Sequence, residues 1–145
     1  MLDEARMLRL ADPAVLRWWA EIPTRFRDLD SNGHVNNVVV LSYVEEARLA
    51  LRRRLTDPTD PGGGWRIAAS AVRYLEPIGY PATLRIGTVP TAVGTTSFGL
   101  GYGLFVGGRC VAVAISRSVH VDGTGTKAQL PLALAAALRA ALLAD

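Results

Sequence analysis

The sequence predicts an α+β domain in which an antiparallel β-sheet wraps around one long central α-helix. Three observations carry that prediction. Residues 36–55 have helical periodicity, four strand-like runs separated by turn signals follow them, and large and small residues alternate along the last two runs. At 145 residues, half of them apolar and a fifth charged, the chain reads as a single domain over 1–145, too short for separate cofactor and substrate domains.

Residues 1–16 read as an N-terminal extension with a short helix. Residues 17–26 contain Trp18, Trp19, Ile22 and Pro23, which suits an edge strand, where proline's missing N–H breaks no ladder. In 36–55, Val40, Val44, Ala47, Leu51 and Leu55 fall on one stripe, with Glu45, Arg48, Arg52 and Arg53 largely off it. The run Val38-Val39-Val40 favours a strand instead, but a capping Asn precedes it and the periodic stretch is too long for one strand. Asp57-Pro58-Thr59-Asp60-Pro61-Gly62-Gly63-Gly64 reads as a loop.

The four runs, 65–75, 82–93, 95–105 and 109–121, are divided by turns at 77–81, Gly94 and Gly107-Gly108, and predict an antiparallel meander. Phe98, Leu100, Tyr102 and Leu104 alternate with Gly99, Gly101 and Gly103, and Val111, Val113 and Ile115 alternate with Ala112, Ala114 and Ser116. This reads as one bulky face and one nearly bare. Interior glycines weaken strands, so they call for close approach of a helix or ligand, which a sheet curved around the long helix would supply. Residues 126–145 close the domain with a helix over 130–143. Open edge strands and apolar area predict a partner subunit, at least a homodimer.

Fifteen arginines and one lysine, Lys127, against thirteen carboxylates leave a net charge of +3. The densest run, Arg52-Arg53-Arg54, lacks interleaved aromatics, so it reads as a solvated helix end, with a phosphorylated carrier as the alternative contact and no nucleic acid. The first ten residues lack the apolar centre of a signal peptide, and residues 130–144, broken by Arg139, are too short to span a bilayer. No membrane partner and a cytoplasmic location are expected. The single cysteine, Cys110, reads as a buried small residue and excludes a cysteine-rich metal site.

The densest polar cluster is Arg25-Phe26-Arg27-Asp28-Leu29-Asp30-Ser31-Asn32-Gly33-His34-Val35-Asn36-Asn37, between the first strand and the long helix. A helix start offers unpaired N–H groups and partial positive charge for a carbonyl oxygen becoming anionic, and a nearby carboxylate can act as base or nucleophile. Those parts suit acyl transfer. Asp28, Asp30, Asn32 and Asn36 equally suit turn and cap roles, and the residues alone leave both readings open.

The string Asp28 to Asn37, followed by Tyr43-Val44-Glu45-Glu46-Ala47-Arg48, resembles the signature of the 4-hydroxybenzoyl-CoA thioesterase branch of the hotdog superfamily and is similar to acyl-ACP thioesterases. Arg73-Tyr74-Leu75-Glu76-Pro77, Gly94-Thr95-Thr96-Ser97, and Val119-His120-Val121-Asp122 leading to Leu130-Pro131 extend the likeness over nearly the whole chain after residue 17. The resemblance implies a hotdog fold and hydrolysis of an acyl-CoA or acyl-ACP thioester. It places the catalytic carboxylate on Asp30, and Asn32 and His34 share the Asp-x-Asn-x-His spacing of the plant enzymes. It implies that a helix-start amide near Asn37 polarises the carbonyl, and that Gly33, Val35, Asn36, Asn37, Val40 and Tyr43 bind substrate.

No cofactor or metal is implied, coenzyme A or phosphopantetheine being part of the substrate. A homotetramer is an alternative by analogy. Val40 departs from relatives that often carry Tyr there. Glu45 and Glu46 read as ion-pair partners on an arginine-rich face, and His120 as structural or exposed. Two rivals are a hotdog enoyl-CoA hydratase, which resembles Asp-x-Asn-Pro-x-His and so has one residue more before the His, and a non-catalytic acyl-binding domain. Acyl identity, the choice of carrier and the nucleophilic or general-base role of Asp30 stay open.

Overall fold

The computed structural model describes residues 3–57 and 63–145. Helix α1 (Glu4–Leu8) is capped by Asp3, whose carboxylate accepts from Arg6 N at 2.8 Å. Two 3₁₀ turns, Arg9–Ala11 and Pro13–Val15, lead to strand β1 (Trp18–Pro23). The 3₁₀ turn Asn37–Val39 opens helix α2 (Val40–Leu55). Then come β2 (Gly64–Tyr74), β3 (Thr83–Val93), β4 (Ser97–Val106), β5 (Arg109–Val121) and helix α3 (Leu132–Ala140). All five strands pair antiparallel in the order β1-β3-β4-β5-β2.

This is the sheet and central helix that the residue pattern predicts, with four differences of detail. The strand-favouring Val38 and Val39 lie in the 3₁₀ turn, so α2 begins at Val40 rather than Asn36. Only β3, β4 and β5 form a meander; β2 pairs with β5 at the edge opposite β1, because α2 carries the chain between the two edges before β2 begins. The closing helix is confined to Leu132–Ala140 by Pro131 at its start and Ala141, out of helical conformation, at its end. Residues 58–62 of the expected loop lie outside the described residues.

The faces of β4 and β5 also differ from the expected bulky and bare pair. Across the β4–β5 register Leu100, Tyr102 and Leu104 oppose Ser116, Ala114 and Ala112, while Gly101 and Gly103 oppose Ile115 and Val113. Each face therefore mixes large with small, and neither is bare. The face bearing Phe98, Leu100, Tyr102 and Leu104 packs on Val40, Tyr43, Val44, Ala47 and Leu51 of α2 and on Leu134 and Leu138 of α3. Burying an aliphatic side chain of this size contributes about 1.5–3 kcal/mol. The glycine face is covered instead by the N-terminal segment: a Cβ on Gly101 would lie 2.7 Å from Leu10 Cδ2, and one on Gly103 would strike the Leu10 carbonyl. Met7, Leu10 and Leu16 form a second core there with Val89, Phe105, Val113 and Ile115.

Two further side chains depart from expectation. Arg48, read as off the apolar stripe, is 8% exposed and pairs with Glu45 at 3.7 Å. It lies near enough to Tyr102, whose hydroxyl sits 2.8 Å from Ser116 Oγ, to form part of a polar cluster inside the core. Cys110 is only half-buried; desolvation raises its thiol pKa, which fits an unreactive side chain. Of the arginine run, Arg53 and Arg54 are exposed, while Arg52 donates to Gly63 O at 2.8 Å. No helix among the described residues is long and apolar enough to cross a membrane.

Candidate active site

The segment between β1 and α2 folds on itself before the helix begins. Leu29 and Val35 form an antiparallel bridge, Asp30 N donates to His34 O at 2.8 Å, and Gly33 N donates to Asp30 O at 3.1 Å. Gly33 at φ 78° makes the reversal, a conformation that strains any L side chain. Asp30 closes the turn with one oxygen: Oδ1 accepts from the backbone N–H of Asn32 at 2.8 Å and of His34 at 3.2 Å. Its other oxygen, Oδ2, accepts no hydrogen bond from the described residues. Asn36 then caps the 3₁₀ turn, its Oδ1 accepting from Val38 N at 2.9 Å while its carbonyl accepts from Val39 N. The Asn37 N–H, first in that turn, has no acceptor among the described residues, as expected of a helix start.

A cleft of about 350 Å³ opens beside this turn, lined by Asp30, His34, Val35, Asn37 and Val40 on one side and the 74–78 segment on the other. The Val35 N–H donates to Ile78 O at 2.8 Å, and the Tyr74 hydroxyl donates to Asn37 O at 2.6 Å, so the end of β2 and its following loop are tied to the helix start. Tyr74, Leu75, Glu76, Pro77 and Ile78 receive no site role from the sequence, although four of them belong to a string that recurs in the resembled enzymes. Glu76 is held by Arg109 at 2.7 Å.

The other predicted residues lie elsewhere. Asn32, Gly33 and Asn36 are exposed and outside the cleft lining. Tyr43 is 0% exposed, and its hydroxyl donates to Asp28 Oδ2 at 2.7 Å while accepting from Arg25 N at 3.1 Å. Arg25 Nε donates to the same Asp28 oxygen at 2.7 Å, and its guanidinium reaches Glu46 at 3.1 Å. The Tyr43 hydroxyl and then Arg25 hold the Asp28 carboxyl below the usual carboxylate range. Burial and the Asp28 bond push the Tyr43 phenol up. Asp28 also supports the turn through its carbonyl, which accepts from Asn36 N at 2.8 Å. This network fastens the turn to α2 and leaves Asp30 facing the cleft.

His120 is half-buried, with Nδ1 3.4 Å from Ala128 O, beside a separate cavity of about 150 Å³ near Arg52, Trp65 and Leu134. Among the described residues no three His, Cys, Asp or Glu side chains are grouped to hold a metal ion.

A sheet wrapped around one central helix, with an acidic turn and a cleft at that helix's start, defines a hotdog domain of the thioesterase type. Residues 24–138 match the Thioesterase-like superfamily, and the chain belongs to it. Three solved structures show the same architecture. A thioesterase from Thermus thermophilus, complexed with coenzyme A and Zn, is 31% identical, with a TM-score of 0.74 over 85% of this chain and 92% of that one. The PA5185 protein from Pseudomonas aeruginosa strain PAO1 is 23% identical with a TM-score of 0.82, over 91% and 96% of the two chains. A thioesterase superfamily protein from Jannaschia sp. CCS1 is 24% identical with a TM-score of 0.82, over 99% and 96%. No curated protein matches the chain.

Proposed function

We propose that the protein hydrolyses an acyl thioester of coenzyme A or acyl carrier protein to a free acid and a thiol, with Asp30 as the central carboxylate. The observation that carries this reading is the shared cleft: Asp30, His34 and Asn37 line it together, with one carboxylate oxygen and one helix-start N–H free of other partners among the described residues. The thioester carbonyl oxygen points at the Asn37 N–H, where a donor and the helix dipole favour the negative charge that develops on it. In one route Asp30 Oδ2 takes a proton from water as the water oxygen bonds to the carbonyl carbon. The tetrahedral oxyanion then collapses, the carbon–sulfur bond breaks and the thiolate takes up a proton.

In the other route Oδ2 attacks the carbon itself, the thiolate leaves, and water hydrolyses the resulting anhydride. His34, exposed at the cleft wall, orients the water or the thioester. Asn32 acts through its backbone N–H, which holds Asp30, and Gly33 permits the turn. The Thermus thermophilus relative, complexed with coenzyme A, favours a coenzyme A thiol over a carrier protein. Val35 and Val40, which line the cleft, give the acyl group an apolar wall.

A non-catalytic acyl-binding domain is the second reading, favoured by the use of Asp30 Oδ1 in closing the turn. One assay separates the two: thiol release from short, long and aromatic acyl-CoAs and from acyl-ACP by wild type and Asp30→Asn, with folding checked by circular dichroism. Hydrolysis predicts turnover by wild type and a loss of about a hundredfold or more in the folded variant. No turnover of any thioester, or equal turnover by the variant, sinks the hydrolase reading.

A further inference from the structure

The opposite face of the sheet carries a second groove, of about 490 Å³, which the hydrolysis reading does not use. Its lining is mixed but contains small and apolar residues: Ala69 and Gly99 flank Arg117 in one cross-strand row, and Ile115 lies beside them, with Thr91, Ser97 and Ser116 adding hydroxyls. Gly99 and Ile115 alternate onto the same face as Gly101, Gly103 and Val113, the face that the N-terminal segment covers farther along. Arg6, from α1, and Arg117, from β5, line the groove, and among the described residues no Asp or Glu does. Arg6 Nε is cut off from solvent and has no hydrogen-bond partner among the described residues. Among the described residues its terminal nitrogen meets only the fully exposed Asp145 carboxylate, at 3.4 Å, and Arg117 meets only the Ser97 hydroxyl, also at 3.4 Å.

Two guanidinium groups face a groove whose described lining holds no carboxylate. Their terminal nitrogens, rather than the enclosed Arg6 Nε, are matched by an acceptor that carries negative charge and competes with the fully exposed Asp145. The small and apolar residues of the lining add space for an apolar body, and the volume suits a small organic ligand. We infer that this groove binds a single-headed anionic amphiphile, its carboxylate or phosphate between Arg6 and Arg117 and its hydrocarbon tail along Ala69, Gly99 and Ile115. This site is independent of the Asp30 cleft and of the hydrolysis reading.

The test is amide NMR on the full chain titrated below micelle formation with decanoate, decyl phosphate, decanol and inorganic phosphate. Decanoate or decyl phosphate is expected to shift the amides of Ala69, Gly99, Ile115 and Arg117, and the tighter of the two identifies the head group. Arg117→Ala, at an exposed position, and Arg6→Gln are each expected to weaken that binding about tenfold or more. Four results would overturn the inference: no shifts at these amides, shifts confined to residues 30–40 and 74–78, unchanged affinity in both variants, or decanol or inorganic phosphate binding as tightly as the amphiphiles.

Discussion

Asp28 and Asp30 stand two residues apart and carry different burdens. Asp28 Oδ2 is taken by Tyr43 and Arg25, whereas among the described residues Asp30 Oδ2 has no partner and Asp30 lines the cleft. Because the folded Asp28 carboxyl is held below its ordinary value, it contributes stability at neutral pH. That contribution is present above the unfolded value and is lost as pH falls through the folded one. Wild type is therefore expected to lose stability as pH drops below about 4, and Asp28→Asn to lack that component. Urea unfolding midpoints measured across the acid range check this; parallel pH profiles for the two proteins would contradict it. The Asp30 motif is legible because its residues are close in sequence. The burial of Tyr43 against Asp28 is not, since the sequence shows a tyrosine on a helix without showing where its hydroxyl points.

At the scale of elements, the N-terminal segment is the part whose packing the sequence does not announce. A short helix within residues 1–16 is readable, but not that Leu10 and Leu16 fill the space left by the glycines of β4. The signal is present as three interior glycines, yet it points to the wrong neighbour, because alternation along one strand does not say which side meets α2. The arrangement makes a testable contrast. Gly103→Ala drives a Cβ into the Leu10 backbone, which cannot swing aside like a side-chain end, and is expected to cost about 1–3 kcal/mol. Gly79→Ala meets nothing within 4 Å and should stay within about 0.5 kcal/mol of wild type. Thermal or denaturant unfolding of the two variants distinguishes them, and equal stability would remove Leu10 as the reason for the glycine.

For the whole molecule, the sheet ends in two edges, β1 and β2, neither paired with another strand beyond it among the described residues. The β1 edge is short and contains Pro23, which blunts it. The β2 edge runs from Gly64 to Tyr74 without proline and exposes Ile67 and Tyr74, so it is the edge on which a second copy is expected to pair. Light scattering behind a sizing column should report a particle of two or more chains. Ile67→Lys is expected to shift it toward the monomer while circular dichroism stays unchanged. A monomeric wild type at working concentration would reject pairing through β2.

The sequence alone determined what depends on neighbours along the chain: the helical stripe of α2, the strand runs and their turns, and the polar turn with Asp30 at its centre. Periodicity and turn chemistry act over a few residues, so they can be read directly. Tertiary structure decided what depends on residues far apart: β2 pairing with β5 rather than β3, and Leu10 on the glycine face. It also buried Arg48 and brought the 74–78 segment to the start of α2 as the second wall of the cleft. Those outcomes rest on which surfaces bury each other and which backbone groups find partners, a competition among distant segments that no local pattern encodes.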